Sequence, residues 1–396
     1  MPETPYSLYI HIPFCRHRCA YCDFNTYAGL DDLIPAYCHA LRQEISMVAA
    51  AAPDRLPVHT VFFGGGTPSL LPAGEVKLIL NTIKENFSLV PQVEISLEAN
   101  PGTTSGDYLH QLREVGINRL SFGVQSANLE ELHMLEREHD FVEVIQSVQS
   151  ARMAGFDNLN LDLIFGLPYQ ALETWQHTLS LALMLQPEHF SLYALTLEHG
   201  TPMYQWVRRG LIGEPDSDLA AEMYEWAAAH LDRAGYEQYE ISNWARLDTG
   251  GKLLSCRHNL QYWRYQPYLG FGAGAHGFAA GVRTANVLAP GAYIQRLAHG
   301  QPSEFPRSPA AVNVLPIDAE TGMGEMMMMG LRLTQEGVAE AVFEARFGQS
   351  LESVYASQIQ RLARIGLLEW HGQPDRRLRL TQSGRLLGNQ VFQEFI

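Results

Sequence analysis

The sequence predicts an α/β fold: a partial, open (β/α)6 barrel of TIM type with a small C-terminal winged-helix-like α/β module. Three observations predict it. Six short apolar runs alternate with helical patterns over the first 235 residues. Polar, chemically capable residues gather at the C-terminal ends of those runs. A Pro-rich stretch, QPSEFPRSPAAVNVLP, then leads into a tail of different texture.

The expected strands, in order, are SLYIHI (7–12), TVFFG (60–64), VEISLEA (93–99), RLSFGVQ (119–125), NLNLDLIFG (158–166) and HFSLYAL (189–195). Each is rich in Val, Ile, Leu, Phe or Tyr, side chains that suit a pleated, buried surface. Helical periodicity fills the gaps, at 33–51, 74–86, 105–115, 141–154 and 173–185. Such alternation implies a parallel sheet with helices on its outside. Six units are too few for a closed eight-unit barrel, so the barrel stays open. A helical stretch at 217–235 ends the barrel domain, expected over 1–235. A Gly- and aromatic-rich segment, 256–281, dominates a second region, 236–305, expected to pack on the barrel. The third region, 306–396, holds two helical runs and RLRLTQSGRLLG, a strand, turn and helix of winged-helix type.

Composition narrows the function. The chain has 396 residues, 46% of them hydrophobic, enough for a sizeable core. Its formal net charge of -15 and lack of a basic stripe disfavour nucleic acid as a partner, the winged-helix tail notwithstanding. No apolar stretch is long enough to span a bilayer. The start, MPETPYSLYIHIPF, lacks a basic n-region and a cleavage site, so a cytoplasmic location is expected.

Three of the five cysteines, Cys15, Cys19 and Cys22, fall within eight positions directly after the first strand. In a reducing compartment an odd, unevenly spaced set favours metal or reactive thiols over disulfides. Spacing i, i+4, i+7 would suit buried thiols on one helix face, although Pro13, Arg16, His17 and Arg18 make the stretch a polar loop. A closed zinc site needs a fourth ligand, for which His11 or His17 is available. A cubane [4Fe-4S] cluster on three thiolates would leave one iron with an open position. The other strand ends are equally polar: Gly64-Gly65-Gly66-Thr67 after the second, Glu98 and Asn100 at the third, Gln125 at the fourth, Asp162 in the fifth. In barrels of this kind the C-terminal face carries the chemistry.

Cys15-x3-Cys19-x2-Cys22 after a first strand, followed one strand later by Gly64-Gly65-Gly66-Thr67-Pro68, resembles the radical S-adenosylmethionine superfamily. YIHIPFC, FFGGGTPS, EANP, FGVQS, DLIFGLP and HNLQYW followed by GFGAGAHG are similar, in order, to its coproporphyrinogen-dehydrogenase-like branch, and the likeness spans nearly the whole chain. The resemblance implies that Cys15, Cys19 and Cys22 hold a [4Fe-4S] cluster whose open iron is chelated by S-adenosylmethionine. It further implies that Tyr9 and Tyr21 flank cluster and cofactor, and that Gly65, Gly66 and Thr67 hold the methionine end. Glu98, Gln125, Arg137 and Asp162 would line the cofactor, with Ala194 near the adenine. Read as residues alone, Glu98 and Asp162 could instead pair with neighbours behind the site, and Arg137 could be a surface charge. The context LEREHD also departs from the small residue the family usually has before that arginine.

Two departures separate the branches. HemN-type decarboxylases resemble CX3CX2CXC, whereas Phe24 stands at that fourth-cysteine position here, and only 14 residues precede Cys15. The sequence is therefore more similar to the HemW type. That resemblance implies a heme chaperone that binds heme through His258, Asn259, Tyr262 and Trp263 and delivers it to acceptor proteins. An electron donor to the cluster is implied as well, and peripheral membrane contact and a homodimer are compatible with it. From residues alone His258 reads first as a core histidine hydrogen-bonded beneath an aromatic cluster, and the resemblance makes it a heme ligand instead, with His276 as a second candidate. The alternative function is an oxygen-independent coproporphyrinogen III dehydrogenase that forms protoporphyrinogen IX by radical decarboxylation.

Overall fold

All six expected strands form in the computed structural model, which describes residues 4–301 and 303–396. They are β1 (Tyr6–Ile12), β2 (Pro57–Gly65), β3 (Ser88–Ala99), β4 (Arg119–Gln125), β5 (Leu159–Phe165) and β6 (His189–Ala194). Each pairs in parallel with the next, giving an open barrel with helices between successive strands. Period-two alternation sorts the side chains into two populations. Leu8, Ile10, Val61, Phe63, Leu97, Leu120, Phe122, Leu161, Leu163, Phe190 and Leu192 form one face and are buried. The other face carries Ser7, Thr60, Ser96, Arg119, Ser121, Asn160, His189 and Ser191, all buried polar residues. The apolar core thus lies between sheet and helices, and the barrel interior is polar.

The sheet continues past β1. Tyr268–Phe271 pairs in parallel with β1, and His276–Ala279 and Val282–Asn286 follow antiparallel. Residues 268–286, within the segment expected to pack on the barrel, therefore join its sheet. Glycine permits the close approach: a Cβ on Gly270 would lie 1.9 Å from the His276 carbonyl oxygen.

The chain folds as two compact units, Met1–His230 with Pro267–Leu315, and Leu231–Gln266 with Pro316–Ile396. The 236–305 segment contributes to both. In the second unit, strands Tyr236–Glu240 and Asn243–Arg246 form a hairpin followed by helix Arg257–Trp263. Its tail has helices Glu340–Phe347 and Leu351–Arg364, then antiparallel strands Leu368–His371 and Arg377–Leu380, the order of a winged helix. Among the described residues no helix is long and apolar enough to cross a membrane.

One buried carboxylate fastens the extension of the sheet to α1 (Ile34–Ala51). Glu44 accepts hydrogen bonds from Gly272 N (2.8 Å), Asn286 Nδ2 (2.7 Å), Tyr293 Oη (2.6 Å) and Ser308 Oγ (2.6 Å). Burial raises its pKa, and these four donors oppose the rise. Glu44→Ala takes the acceptor from Gly272 N, Tyr293 Oη and Ser308 Oγ, at about 1–3 kcal/mol each, while Asn286 Nδ2 keeps Gly272 O. A loss of several kcal/mol in urea unfolding is expected, and an unchanged midpoint would show that the clasp contributes nothing.

Candidate functional site

The C-terminal strand ends surround a cavity of about 360 Å³. Cys15, Cys19, Cys22, Tyr21, Gly65, Gly66, Thr67, Glu98, Gln125, Arg137, Asp162 and Ala194 all line it. Tyr9 does not. It lies behind the lining, where a Cβ on Gly64 would meet its ring at 3.0 Å and Glu98 Oε2 at 3.2 Å.

The glycine turn is set by sterics. Gly66 N donates to Ile12 O and Thr67 N to Phe14 O, both at 2.8 Å, which docks the turn on the end of β1. A Cβ on Gly66 would lie 2.6 Å from Phe14 O and 2.9 Å from Cys15 Sγ. Gly65 has φ +115°, and a Cβ there would strike the His11 ring at 2.5 Å. Only glycines bring this backbone against the cysteine loop.

Each sulfur has a side-chain partner: Thr67 Oγ1 donates to Cys15 Sγ and Arg137 Nη1 to Cys19 Sγ, each at 3.6 Å, and Thr26 Oγ1 lies 4.0 Å from Cys22 Sγ. Arg137 is held by Asn100 Oδ1 (2.8 Å) and Gly123 O (2.6 Å), and Asn100 Nδ2 donates to Thr67 Oγ1 (3.2 Å). Its Nε is buried with no partner among the described residues. The surface-charge reading of Arg137 does not hold. Burial pushes the Cys15 and Cys22 thiols up, with the Thr67 hydroxyl opposing at Cys15.

Of the four acidic residues lining the cavity, Asp23, Glu98, Asp162 and Glu198, two lie on the barrel strands. Asp162 accepts from Ser121 Oγ and Asn160 Nδ2, both at 2.8 Å. Burial raises its pKa, opposed by hydrogen bonds from Ser121, Ser191 and Asn160 and by the charge of Arg119. Glu98 accepts from Gly65 N at 3.1 Å. Its pKa is pushed up to about 8, first by burial and then by Asp162, against Gly65 N–H and Arg119. Gln125 ends β4 at φ +65°, beside a register shift between Gly123 and Gln125. Burial raises the Tyr21 phenol as well.

The donor set fits a cluster with one iron left for another ligand: three thiols on one loop, a side-chain partner at each sulfur, and a glycine cradle open to a cavity. Among the described residues, no three His, Cys, Asp or Glu side chains gather around a point fit for a single metal ion.

The residues expected around heme lie on helix Arg257–Trp263 in the second unit. His258 is 1% exposed, and its Nε2 is 2.8 Å from Tyr262 Oη. Arg332 stacks over the Trp263 ring at 5.0 Å. Asn259 and Trp263 are both near Glu240, whose carboxyl burial pushes up to about 7, with Asn243, Trp263, Arg332 and Asn259 opposing. His276 lies on an exposed strand start in the first unit.

Sequence reasoning missed Asn25, Asn160, Ser121 and Tyr193. The run Asn158-x-Asn160-x-Asp162 carried a signal for Asn160, being polar at period two within an apolar strand. Tyr193, 45% exposed, and Phe24, 63% exposed, both line the cavity.

Residues 9–182 match the Radical SAM superfamily and residues 317–387 match the HemN C-terminal domain. The protein named heme chaperone HemW in Bacillus subtilis (strain 168) is 38% identical over 395 residues, 98% of this chain and 99% of its own. Its namesake in Mycobacterium tuberculosis (strain ATCC 25618 / H37Rv) is 38% identical over 400 residues, 99% of this chain and 95% of its own. Coproporphyrinogen III oxidase (HemN) from Escherichia coli has the same fold, with a TM-score of 0.82 at 24% identity over 100% of this chain and 91% of that one. With the three-cysteine loop and the glycine turn it docks against, a likeness of this extent makes the chain a member of the HemW family, within the radical S-adenosylmethionine superfamily.

Proposed function

We propose that the protein is a heme chaperone built on a radical S-adenosylmethionine core. It holds a [4Fe-4S] cluster on Cys15, Cys19 and Cys22, binds S-adenosylmethionine at the open iron, and carries heme to acceptor proteins. The observation that supports this best is the three-thiol loop with Phe24, not a fourth cysteine, in a chain 38% identical nearly end to end to proteins named heme chaperone HemW. We place it in the cytoplasm, with an electron donor protein, as a homodimer, and with at most peripheral membrane contact.

When bound, the cluster supplies an electron to the sulfonium of S-adenosylmethionine. The chain's own residues do the rest. Thr67 and Arg137 donate to the cysteine sulfurs and offset the negative charge of thiolate ligands. Gly65 and Gly66 let backbone approach the methionine end. Glu98 and Asp162 present carboxyl acceptors, anionic once ionised, to a ligand that carries both a sulfonium and an ammonium. Gln125 and Ala194 line the remainder, and Tyr9 and Tyr21 bound the cavity from behind and beside. Heme is held by His258, with Asn259, Tyr262 and Trp263 around it.

The deciding experiment is anaerobic reconstitution, followed by reductant, S-adenosylmethionine and coproporphyrinogen III. The proposal expects iron–sulfur absorbance that is lost in Cys15→Ala, Cys19→Ala or Cys22→Ala, and no release of carbon dioxide. Stoichiometric carbon dioxide with 5'-deoxyadenosine would overturn the chaperone reading.

Glu98 gives a pH test. With a carboxyl near 8 it is mostly neutral at pH 7, and its ionisation favours a cationic ligand. Affinity for S-adenosylmethionine should rise as pH climbs toward 8, approaching roughly tenfold per unit, and then level off. Glu98→Gln should flatten the profile. In the ligand-free chain the sign is opposite. The raised pKa contributes stability that is fully present below the ordinary carboxyl value and is lost as pH rises through about 8.

Iron ligation by His258 Nε2 must displace Tyr262 Oη. His258→Ala should abolish the Soret shift in a heme titration. Tyr262→Phe, by removing a competing hydrogen bond of about 1 kcal/mol, should tighten heme binding roughly fivefold. Equal Soret shifts in wild type and His258→Ala would exclude His258 as the ligand.

A further inference from the structure

We infer that Asn25 is a positioning residue for the cluster: it latches the far end of the cysteine loop to the barrel rim formed by Gly272–Gly274 and Leu288. The inference rests on the cluster assignment proposed above and adds to it a residue that is not itself a ligand.

The latch is made of hydrogen bonds from the Asn25 side-chain amide and to its backbone oxygen. Asn25 Nδ2 donates to Ala273 O (3.1 Å) and to Leu288 O (2.9 Å). Its backbone oxygen accepts from His11 Nε2 at 2.9 Å. That bond places the ring proton on Nε2, so His11 Nδ1 accepts from Tyr9 Oη at 3.0 Å. The rim is braced as well. Tyr37 Oη donates to His11 O and accepts from Ala273 N, both at 2.8 Å.

Sterics single out this contact. Gly274 has φ +76°, and a Cβ there would lie 2.4 Å from Asn25 Nδ2. Gly272 has φ +106°, and its Cβ would lie 2.5 Å from His11 O. The His11 ring in turn covers Gly65 of the glycine turn. One latch therefore ties the cysteine loop, the glycine turn and the rim together.

The position of the latch along the chain explains its purpose. The loop's leading end is fixed at Cys15 by β1 and by the Gly66 and Thr67 amides. Arg16, His17 and Arg18 are exposed and lend no packing. Asn25 closes the other end three residues after Cys22. The loop is also tied by the pairing of Tyr27–Ala28 with Phe14–Cys15 and by buried Ala20, whose amide donates to Leu135 O, so losing the latch loosens the stretch between Ala20 and Tyr27, and ordering Cys22 there on binding iron costs more conformational entropy.

Asn25→Asp keeps the shape and the backbone acceptor for His11 but turns a donor of two hydrogen bonds into an anion facing two carbonyls. Asn25→Ala removes the donors. Gly274→Ala breaks the latch from the opposite side, far in sequence from any cysteine. All three should keep the far-ultraviolet circular dichroism of the wild type. After reconstitution, chelator should strip iron roughly 10–100-fold faster, and the change in the reduced cluster's electron paramagnetic resonance spectrum on adding S-adenosylmethionine should be lost or broadened. In the cluster-free chain, trypsin should cut after Arg16 or Arg18 several-fold faster in the variants. Wild-type iron release, spectrum and cleavage rate in Asn25→Asp and Asn25→Ala would overturn the inference. If the wild type itself binds no cluster, the proposed function fails, and the trypsin comparison still decides whether Asn25 holds the loop.

Discussion

The site depends on two carboxylates buried inside an open barrel. Glu98 and Asp162 are held away from water, where an unpaired charge is costly. The sequence meets this cost by filling the barrel interior with polar groups. Ser121 and Asn160 donate to Asp162, Gly65 N–H donates to Glu98, and Arg119 supplies one positive charge against two carboxyls. Burial first, and then the neighbouring Asp162, outweigh Gly65 N–H and Arg119, so the Glu98 proton is held up to about pH 8. A cation entering the cavity removes that imbalance. The electrostatic requirement of the empty fold and the charge of the ligand it is proposed to bind are the same fact seen from two sides.

The second constraint is backbone proximity. The cysteine loop, the glycine turn and the Gly272–Gly274 rim approach so closely that Cβ atoms at Gly65, Gly66, Gly272 or Gly274 would fall within 2.6 Å of neighbouring atoms. Close approach of three segments at one point has little tolerance for error, and hydrogen bonds remove what tolerance remains. The chain Asn100–Thr67–Cys15 and the pair Arg137–Cys19 reach the sulfurs from the glycine turn and from the segment after β4. Glu44 secures the rim to α1. The thiols are thus positioned from the strand ends, the most rigid part of the fold, although the loop's own middle is exposed.

Much of this was legible in the sequence. The strands announced themselves because each is a short apolar run, and the site because polar residues interrupt those runs at period two: Asn160 and Asp162 in β5, Glu98 at the end of β3. What stayed hidden was non-local. Asn25 and Ala273 are 248 positions apart, and nothing near either residue announces the contact. The added strands at 268–286 are short and Gly-containing, so neither length nor alternation marks them, and pairing with β1 decides them. Tyr9 alternates toward the interior with Ser7 and His11, but only the fold shows that its ring packs against Gly64 and that it does not line the cavity. His258 reads two ways in sequence because a ligand and a core histidine both want a buried, aromatic setting.

Phe24 shows how a single position can be informative at both levels. In sequence it is the residue that replaces a fourth cysteine. In the structure it is 63% exposed on the cavity, flanked by Cys22 and by the latched Asn25. An aromatic side chain left in water forgoes about 1.5–3 kcal/mol of burial, and folding does not choose that arrangement for the core's sake. Tyr193, 45% exposed, lines the same cavity. The cavity, at about 360 Å³, is therefore amphipathic, lined by the carboxyls of Glu98 and Asp162 and by the exposed rings of Phe24 and Tyr193. That polarity suits a ligand with a cationic head and a flat aromatic tail, the ligand proposed for the site.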